Sequence, residues 1–141
     1  MNELIDIALS QYGTLEIPGS EDNPAILNYF KEIGHEWVRD DETAWCSAFV
    51  NWVALKGGVE RSGKLDARSW LKVGEPQINW KLGDVVIYWR ESKRSWKGHI
   101  GFPIREADGV IWTLGGNQGN QVKIAPYPSG RVLGFRRLKR V

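Results

Sequence analysis

The sequence predicts an α+β fold in which N-terminal helices pack on one face of an antiparallel sheet of five to six strands, curved or closed part-way into a half-barrel. Three observations lead there. Apolar residues recur at helical spacing through the first half of the chain, short β-rich runs take over from Asp84 onward, and Gly, Pro and Asn punctuate both patterns. Helices first and strands second is the order that lays a helical layer over one face of a sheet.

Leu4, Ile5, Ala8 and Leu9 form a first amphipathic helix stopped by Gly13, and Pro18, Gly19 and Ser20 mark a loop. Asn23-Pro24 reads as a helix start, Asn as cap and Pro at the first helical position; Ile26, Leu27, Tyr29, Phe30 and Ile33 supply the apolar residues and Gly34 ends the helix. The acidic run Asp40-Asp41-Glu42 and Thr43 lead into Ala44-Trp45-Cys46. Trp45, Ala48, Phe49 and Trp52 then make an i, i+3, i+4, i+7 stripe, the expected central buried helix, closed by Gly57-Gly58. A shorter helical piece around Ala67-Arg68-Ser69-Trp70-Leu71 precedes a break at Gly74 and Pro76. Strands are expected at Asp84–Trp89, His99–Ile104, Val110–Leu114, Gln121–Ile124 and Val132–Arg136, joined as an antiparallel meander.

With 141 residues and 42% apolar composition, one compact domain over 1–141 buries an adequate core and a second does not fit. The 19 basic residues nearly balance the 17 acidic ones, so composition carries no nucleic-acid footprint. Arg131, Arg136, Arg137, Lys139 and Arg140 stand together without an acid; they read as a solvated basic tail, or alternatively as a weak attraction to anionic wall polymers or lipid headgroups. A single cysteine excludes an intramolecular disulfide and a multi-Cys metal site. Met1 to Leu9 carries early acids and no basic stretch ahead of an apolar run, so no secretory signal is read there. No stretch approaches the roughly 18 apolar residues of a membrane span.

Chemistry concentrates at three places. Cys46 is expected in the first turn of the central helix with Thr43 as N-cap, where unpaired amides and the helix dipole favour a thiolate. The alternative is a buried cysteine acting as a small hydrophobe. Gly98-His99-Ile100-Gly101 sets a histidine at the start of an apolar strand, between glycines that let another backbone or a ligand come close. The other histidine, His35, reads as a solvated helix end. A Cys on a helix N-terminus and a His on a facing strand are the pair in which imidazole deprotonates the thiol and later protonates a leaving amine. In Gly115-Gly116-Asn117-Gln118-Gly119-Asn120, Asn117 is the expected acceptor for the second ring N–H, with Gln118 the alternative; the segment also reads as a turn serving only positive φ.

Together, Asp40 to Val50 (Asp-Asp-Glu-x-x-Trp-Cys-x-x-Phe-Val), Gly98 to Phe102 (Gly-His-x-Gly-Phe) and Leu114 to Gln118 (Leu-Gly-Gly-Asn-Gln) resemble the NlpC/P60 and CHAP group of papain-like peptidoglycan hydrolases, in a small phage-associated and bacterial branch. Tyr12-Gly13, Glu16-Ile17, Gly19, Asn23-Pro24 and the segment from Ala67 to Leu71 are similar to that branch as well. The resemblance implies a papain-like fold and an acyl-enzyme reaction on an amide without a cofactor. Cys46 would be the nucleophile, His99 the general base and Asn117 the residue that orients it, with the oxyanion held by backbone N–H groups such as that of Cys46.

Glu16, Asp41, Glu42, Trp45, Arg68 and Gln118 are the expected substrate contacts, Arg68 either pairing with a stem-peptide carboxylate or making a surface ion pair. Trp89 and Trp96 flank the polar loop from Arg90 to Ser95, and one of the two is expected to rim a groove just before His99. Contiguous Asp40-Asp41-Glu42 lacks the alternation of a calcium loop, so no metal is expected. The expected protein is a monomeric peptidoglycan hydrolase, cutting within the stem or bridge or between sugar and first alanine. It would be made in the cytoplasm and reach the cell wall as a phage endolysin through a holin lesion, or by another delivery system. No nucleic-acid partner and no stable membrane insertion are expected. The alternatives are a non-catalytic wall-binding or virion module, and a secreted amidase effector or acyltransferase using the same dyad.

Overall fold

The computed structural model describes residues 2–15, 23–35 and 45–141. Three helices come first, α1 (Glu3–Leu9), α2 (Pro24–Glu32) and α3 (Cys46–Lys56), then a 3₁₀ turn over Ala67–Lys72. Strands β1 (Glu75–Gln77), β2 (Val85–Trp89), β3 (Gly98–Ala107), β4 (Val110–Gln118), β5 (Gln121–Pro128) and β6 (Val132–Arg137) follow. They form one open antiparallel sheet in the order β1-β6-β2-β3-β4-β5, so the α+β class holds.

Caps fix the early helices. Asn2 Oδ1 accepts from the N–H groups of Leu4 (3.1 Å) and Ile5 (3.3 Å), and Asn23 Oδ1 from that of Ala25 (2.8 Å), with Pro24 in the first turn of α2 as the dipeptide predicts. α1 ends at Leu9, the last of its spaced apolar residues and four residues before the Gly13 stop. The chain then turns until Gly13 N–H donates to Val122 O (2.8 Å) and Val122 N–H to Thr14 O (2.9 Å), which lines the N-terminal segment along β5.

α3 is the central buried helix, with every residue from Cys46 to Ala54 buried between the other helices and strands β3 and β4. Its polar members are satisfied inside the core. Ser47 Oγ donates to Lys64 O (2.6 Å) and accepts from Trp70 Nε1 (3.0 Å). Asn51 Nδ2 donates to Lys64 O (3.0 Å) while its Oδ1 accepts from Gly63 N–H (2.8 Å). These bonds fix the axial position and rotation of the helix that carries Cys46.

Side-chain alternation sets β2 between two apolar clusters: Val85 and Ile87 join the main core under the helices, while Val86 and Tyr88 join a smaller cluster with Ile111. Two features depart from the predicted meander. β1, read as a chain break, is a short edge strand on β6, where the missing N–H of Pro76 is tolerated. β6 itself leaves the sequential order and inserts between β1 and β2 because its pairing is decided by distant residues.

The basic run is a solvated tail only in part: Arg131, Lys139 and Arg140 are exposed, whereas Arg136 and Arg137 are tied to the fold. Arg136 donates to Leu71 O from Nε (3.2 Å) and Nη2 (2.8 Å), and Arg137 makes a two-point pair with the buried Asp84 carboxylate, both contacts 2.9 Å.

Candidate active site

The nucleophile candidate sits at the start of α3. Trp45 is the N-cap residue, and its own side chain does not cap the first-turn amides around Cys46. Thr43, the expected cap, lies outside the described residues. Trp45 is fully buried, its ring 6.2 Å from that of Tyr29, so it anchors the helix start in the core and does not reach a substrate as expected. Cys46 is buried too, and burial pushes its thiol pKa up; backbone hydrogen bonds from Ile100 and Ser47 and the charge of Arg90 pull it back down in part. Ile100 follows His99 in β3, so the sulfur lies against the strand that carries the imidazole.

His99 pairs with Tyr88 across β2 and β3 and is only 6% exposed. The glycines on either side are required by close approach: a Cβ at Gly98 would stand 2.8 Å from Tyr88 O, and one at Gly101 would stand 2.5 Å from Thr113 Cγ2 and 2.9 Å from Leu114 O. The ring Nε2 is 2.8 Å from Gln118 Oε1. The Gln118 amide nitrogen donates to two carbonyls, Thr113 O (3.0 Å) and Lys123 O (2.6 Å), so its oxygen must face the ring and can only accept. His99 is thereby held with its proton on Nε2 and a lone pair on Nδ1. Burial lowers the imidazole pKa to about 4, against a raising contribution from the Gln118 bond and a further lowering one from Arg90. At neutral pH the ring is uncharged and able to take a proton.

The sequence expectation that Asn117 accepts from His99 is corrected here: that bond belongs to Gln118. The reason is a β-bulge. Between the pairs Gly115↔Lys123 and Gln118↔Gln121, β4 spends one residue more than β5, and Asn117 absorbs the excess at φ 57°. Asn tolerates that left-handed backbone, and the shift in parity turns Gln118 inward. Gly119 (φ 58°) and Asn120 (φ 63°) then make the two-residue turn of the hairpin, so the positive-φ reading of this segment also holds. Gly115 leaves room for the carboxamide, since a Cβ there would be 2.9 Å from Gln118 Oε1. Gly116 seats β4 directly on α3, where a Cβ would meet the Trp45 ring at 2.7 Å and Phe49 Cβ at 2.8 Å.

Two tyrosines escaped the sequence reading. Tyr127 stacks on His99 (4.9 Å between ring centroids, 18° between planes) and on Tyr88 (4.7 Å, 19°), and the Tyr88 hydroxyl is 2.7 Å from Thr113 Oγ1. Burial raises the pKa of both phenols, which keeps them protonated. Tyr127 lies between Pro126 and Pro128, beyond the point where the strand was expected to end; an aromatic braced by two prolines was the available signal. A pocket of about 370 Å³ opens over these rings, walled by Trp89, Arg90, Asn117, Asn120 and Arg131, with His99, Gln118, Tyr88 and Tyr127 beneath. The Arg131 guanidinium lies 5.0 Å from the centre of the Trp89 ring.

Other expected contacts fall elsewhere. Arg68 donates from Nε to Lys97 O (2.9 Å), from Nη1 to Lys93 O (2.7 Å) and from Nη2 to Ser92 O (2.9 Å), so it staples the loop that leads into β3 instead of awaiting a carboxylate. Trp89 joins the pocket wall, whereas Trp96 is 72% exposed on that loop. His35 is half-buried and its Nε2 lies 2.8 Å from Gly63 O, not in bulk solvent. Glu16, Asp41 and Glu42 lie outside the described residues. Among the described residues no group of three His, Cys, Asp or Glu side chains is placed to hold a metal ion. No protein-family model matches the chain, and no curated protein matches it.

Proposed function

We propose that the chain is a papain-like thiol hydrolase of the NlpC/P60 and CHAP kind that cuts an amide bond in peptidoglycan, within the stem or bridge or between sugar and first alanine. The observation that carries this reading is the locked His99–Gln118 pair: an imidazole buried, uncharged and held in one tautomer beside a helix N-terminus that bears the only cysteine. The bond to Gln118 satisfies the buried Nε2–H and leaves Nδ1 as the nitrogen free to take a proton.

The chemistry follows from the two resting states. The thiol proton moves to His99 Nδ1 as Sγ attacks the carbonyl carbon; the S–C bond forms and the carbonyl electron pair moves onto oxygen. The N–H of Cys46 and its first-turn neighbours are the donors for that oxyanion. Gln118 Oε1 steadies the imidazolium through Nε2–H while Nδ1 gives its proton to the departing amine and the C–N bond breaks. Water then loses a proton to Nδ1, attacks the thioester and releases the acid with the thiol restored. Because burial disfavours both thiolate and imidazolium, ionisation is coupled to attack and no ion pair stands ready beforehand.

In this reading the partner is peptidoglycan, and a holin lesion or another delivery system brings the protein to the wall. Among the described residues no helix is long and apolar enough to cross a membrane. A second reading, a non-catalytic wall-binding or virion module, draws on the burial that raises the Cys46 pKa, which also suits an inert core thiol. The two separate in one experiment. Purified peptidoglycan is incubated with wild-type protein and with Cys46→Ala, and the soluble fragments are analysed by mass spectrometry. New fragments with wild type alone, from two proteins of equal circular dichroism, are expected; identical spectra would reject the hydrolase.

A further inference from the structure

We infer that the pocket over His99 receives the amine side of the scissile bond, and that Arg90 and Arg131 bind a carboxylate carried there. The preferred leaving group is thus an amino acid whose carboxyl group is free. The inference rests on the hydrolase reading and adds the chemistry of one substrate half to it.

The first step is positional. His99 must hand a proton to the leaving amine, and the pocket is lined by His99 but not by Cys46, which puts it on the imidazole's side of the bond, where the amine departs. That space, about 370 Å³, stands at the small end of ligand pockets, which run roughly 300–1,000 Å³, and suits one or two residues.

The second step is charge. Arg90 and Arg131 line the pocket, and no Asp or Glu lines it with them. Among the described residues neither arginine makes a salt bridge. Their neighbours in charge are already committed: Lys97 to Glu91 (2.9 Å), Arg68 to three loop carbonyls, Arg136 to Leu71 O and Arg137 to Asp84. The Arg131 guanidinium lies over the Trp89 ring, 5.0 Å from its centre, and its planar fork has the shape that a carboxylate matches. Trp89, which also lines the pocket, carries at Nε1 a buried donor without an acceptor among the described residues. A pocket with two uncommitted guanidiniums and no internal anion is built for an anionic guest.

The third step separates this carboxylate from general attraction to the wall. Exposed cations attract polyanions without regard to which side of a bond bears the charge. Here the arginines share a wall with the catalytic imidazole, so the discrimination falls on the leaving group alone.

The test uses the full chain and two synthetic peptides containing the bond identified from the peptidoglycan fragments. They share one acyl half and differ only in the leaving residue, which ends in a free carboxylate or in a primary amide. Wild type is expected to favour the free acid in kcat/KM by roughly tenfold or more, the size of a charge-assisted hydrogen bond. Arg90→Gln and Arg131→Gln should each shrink the preference, the double variant should erase it, and raising the salt concentration should weaken it. Equal cleavage of the two peptides by wild type, or a preference that survives in the double variant, would overturn the inference while leaving a Cys46-dependent hydrolase standing. Binding of the same pair to Cys46→Ala, followed by calorimetry, keeps the pocket testable if neither is cut: tighter binding of the acid supports the site, equal binding rejects it.

Discussion

The histidine and cysteine halves of the site are built by different means. His99 is fixed by side chains from three strands: Gln118 of β4 on its Nε2, Tyr127 of β5 across its face and Tyr88 of β2 beside it. Cys46 is fixed by backbone, through the start of α3 and the amides of Ile100 and Ser47. The lesson is that orientation and ionisation are divided between the halves. The base needs a defined tautomer, which here the directional bond to Gln118 supplies. The nucleophile needs stabilisation of a charge that exists briefly, which backbone dipoles supply without any charge of their own.

That division breaks first at Gln118. Gln118→Leu keeps the volume but takes the Gln118 partner from the buried His99 Nε2–H and Thr113 O and from the part-buried Lys123 O. At about 1–3 kcal/mol for each buried group left unmet, the protein should lose at least about 2 kcal/mol in urea unfolding. Turnover should fall about a hundredfold or more, the scale of misplaced general-base catalysis. A variant that keeps wild-type turnover would show that the ring needs no lock.

The two halves should also answer pH in opposite directions. His99 titrates near 4 when folded and near 6.5 when unfolded, so between these values the unfolded chain takes a proton that the folded ring refuses. Stability should therefore decline as pH falls from about 6.5 toward about 4, by about 3 kcal/mol in all at 1.36 kcal/mol per pH unit. It should stop declining for this reason below that range. The thiol is shifted upward instead, so its contribution is intact below its ordinary value of 9.0 and is lost as pH rises beyond it. Denaturant midpoints across pH for wild type, His99→Gln and Cys46→Ala assign the limbs. The acid slope should flatten only in the first variant and the onset of the alkaline slope should retreat only in the second.

How much of this was legible follows from how local each cause is. Asn23-Pro24 names its own helix start, and Gly98 and Gly101 announce close approach around His99, because each effect is decided within a few residues. The choice between Asn117 and Gln118 was not legible. It depends on the parity of β4 after the bulge, and that is set by which residues of β5 stand opposite. Arg68 looked like a free cation because the carbonyls that hold it belong to residues 24 to 29 positions further on. The basic run of β6 looked like a tail because insertion between β1 and β2 is a fact of topology, invisible to composition. Tyr127 was missed for a related reason, its role arising from a stack across the sheet and not from its own strand.

The smallest predicted effect is the sharpest test of the division within the Gly115–Asn120 segment. Asn117 sits at φ 57°, a backbone that glycine adopts without penalty, so Asn117→Gly preserves the bulge and the inward turn of Gln118. Its side chain lines the pocket without making the His99 bond, which belongs to its neighbour. Stability should therefore change by no more than about 0.5 kcal/mol, the range of substitutions that break no buried contact, and kcat by about twofold at most. Asn117→Val is the matching control, because a β-branched residue at positive φ strains the bulge and should disturb Gln118 as well. If Asn117→Gly instead loses activity as far as Gln118→Leu while unfolding like wild type, the orienting role passes back to Asn117. The Gln118 lock would then be structural alone.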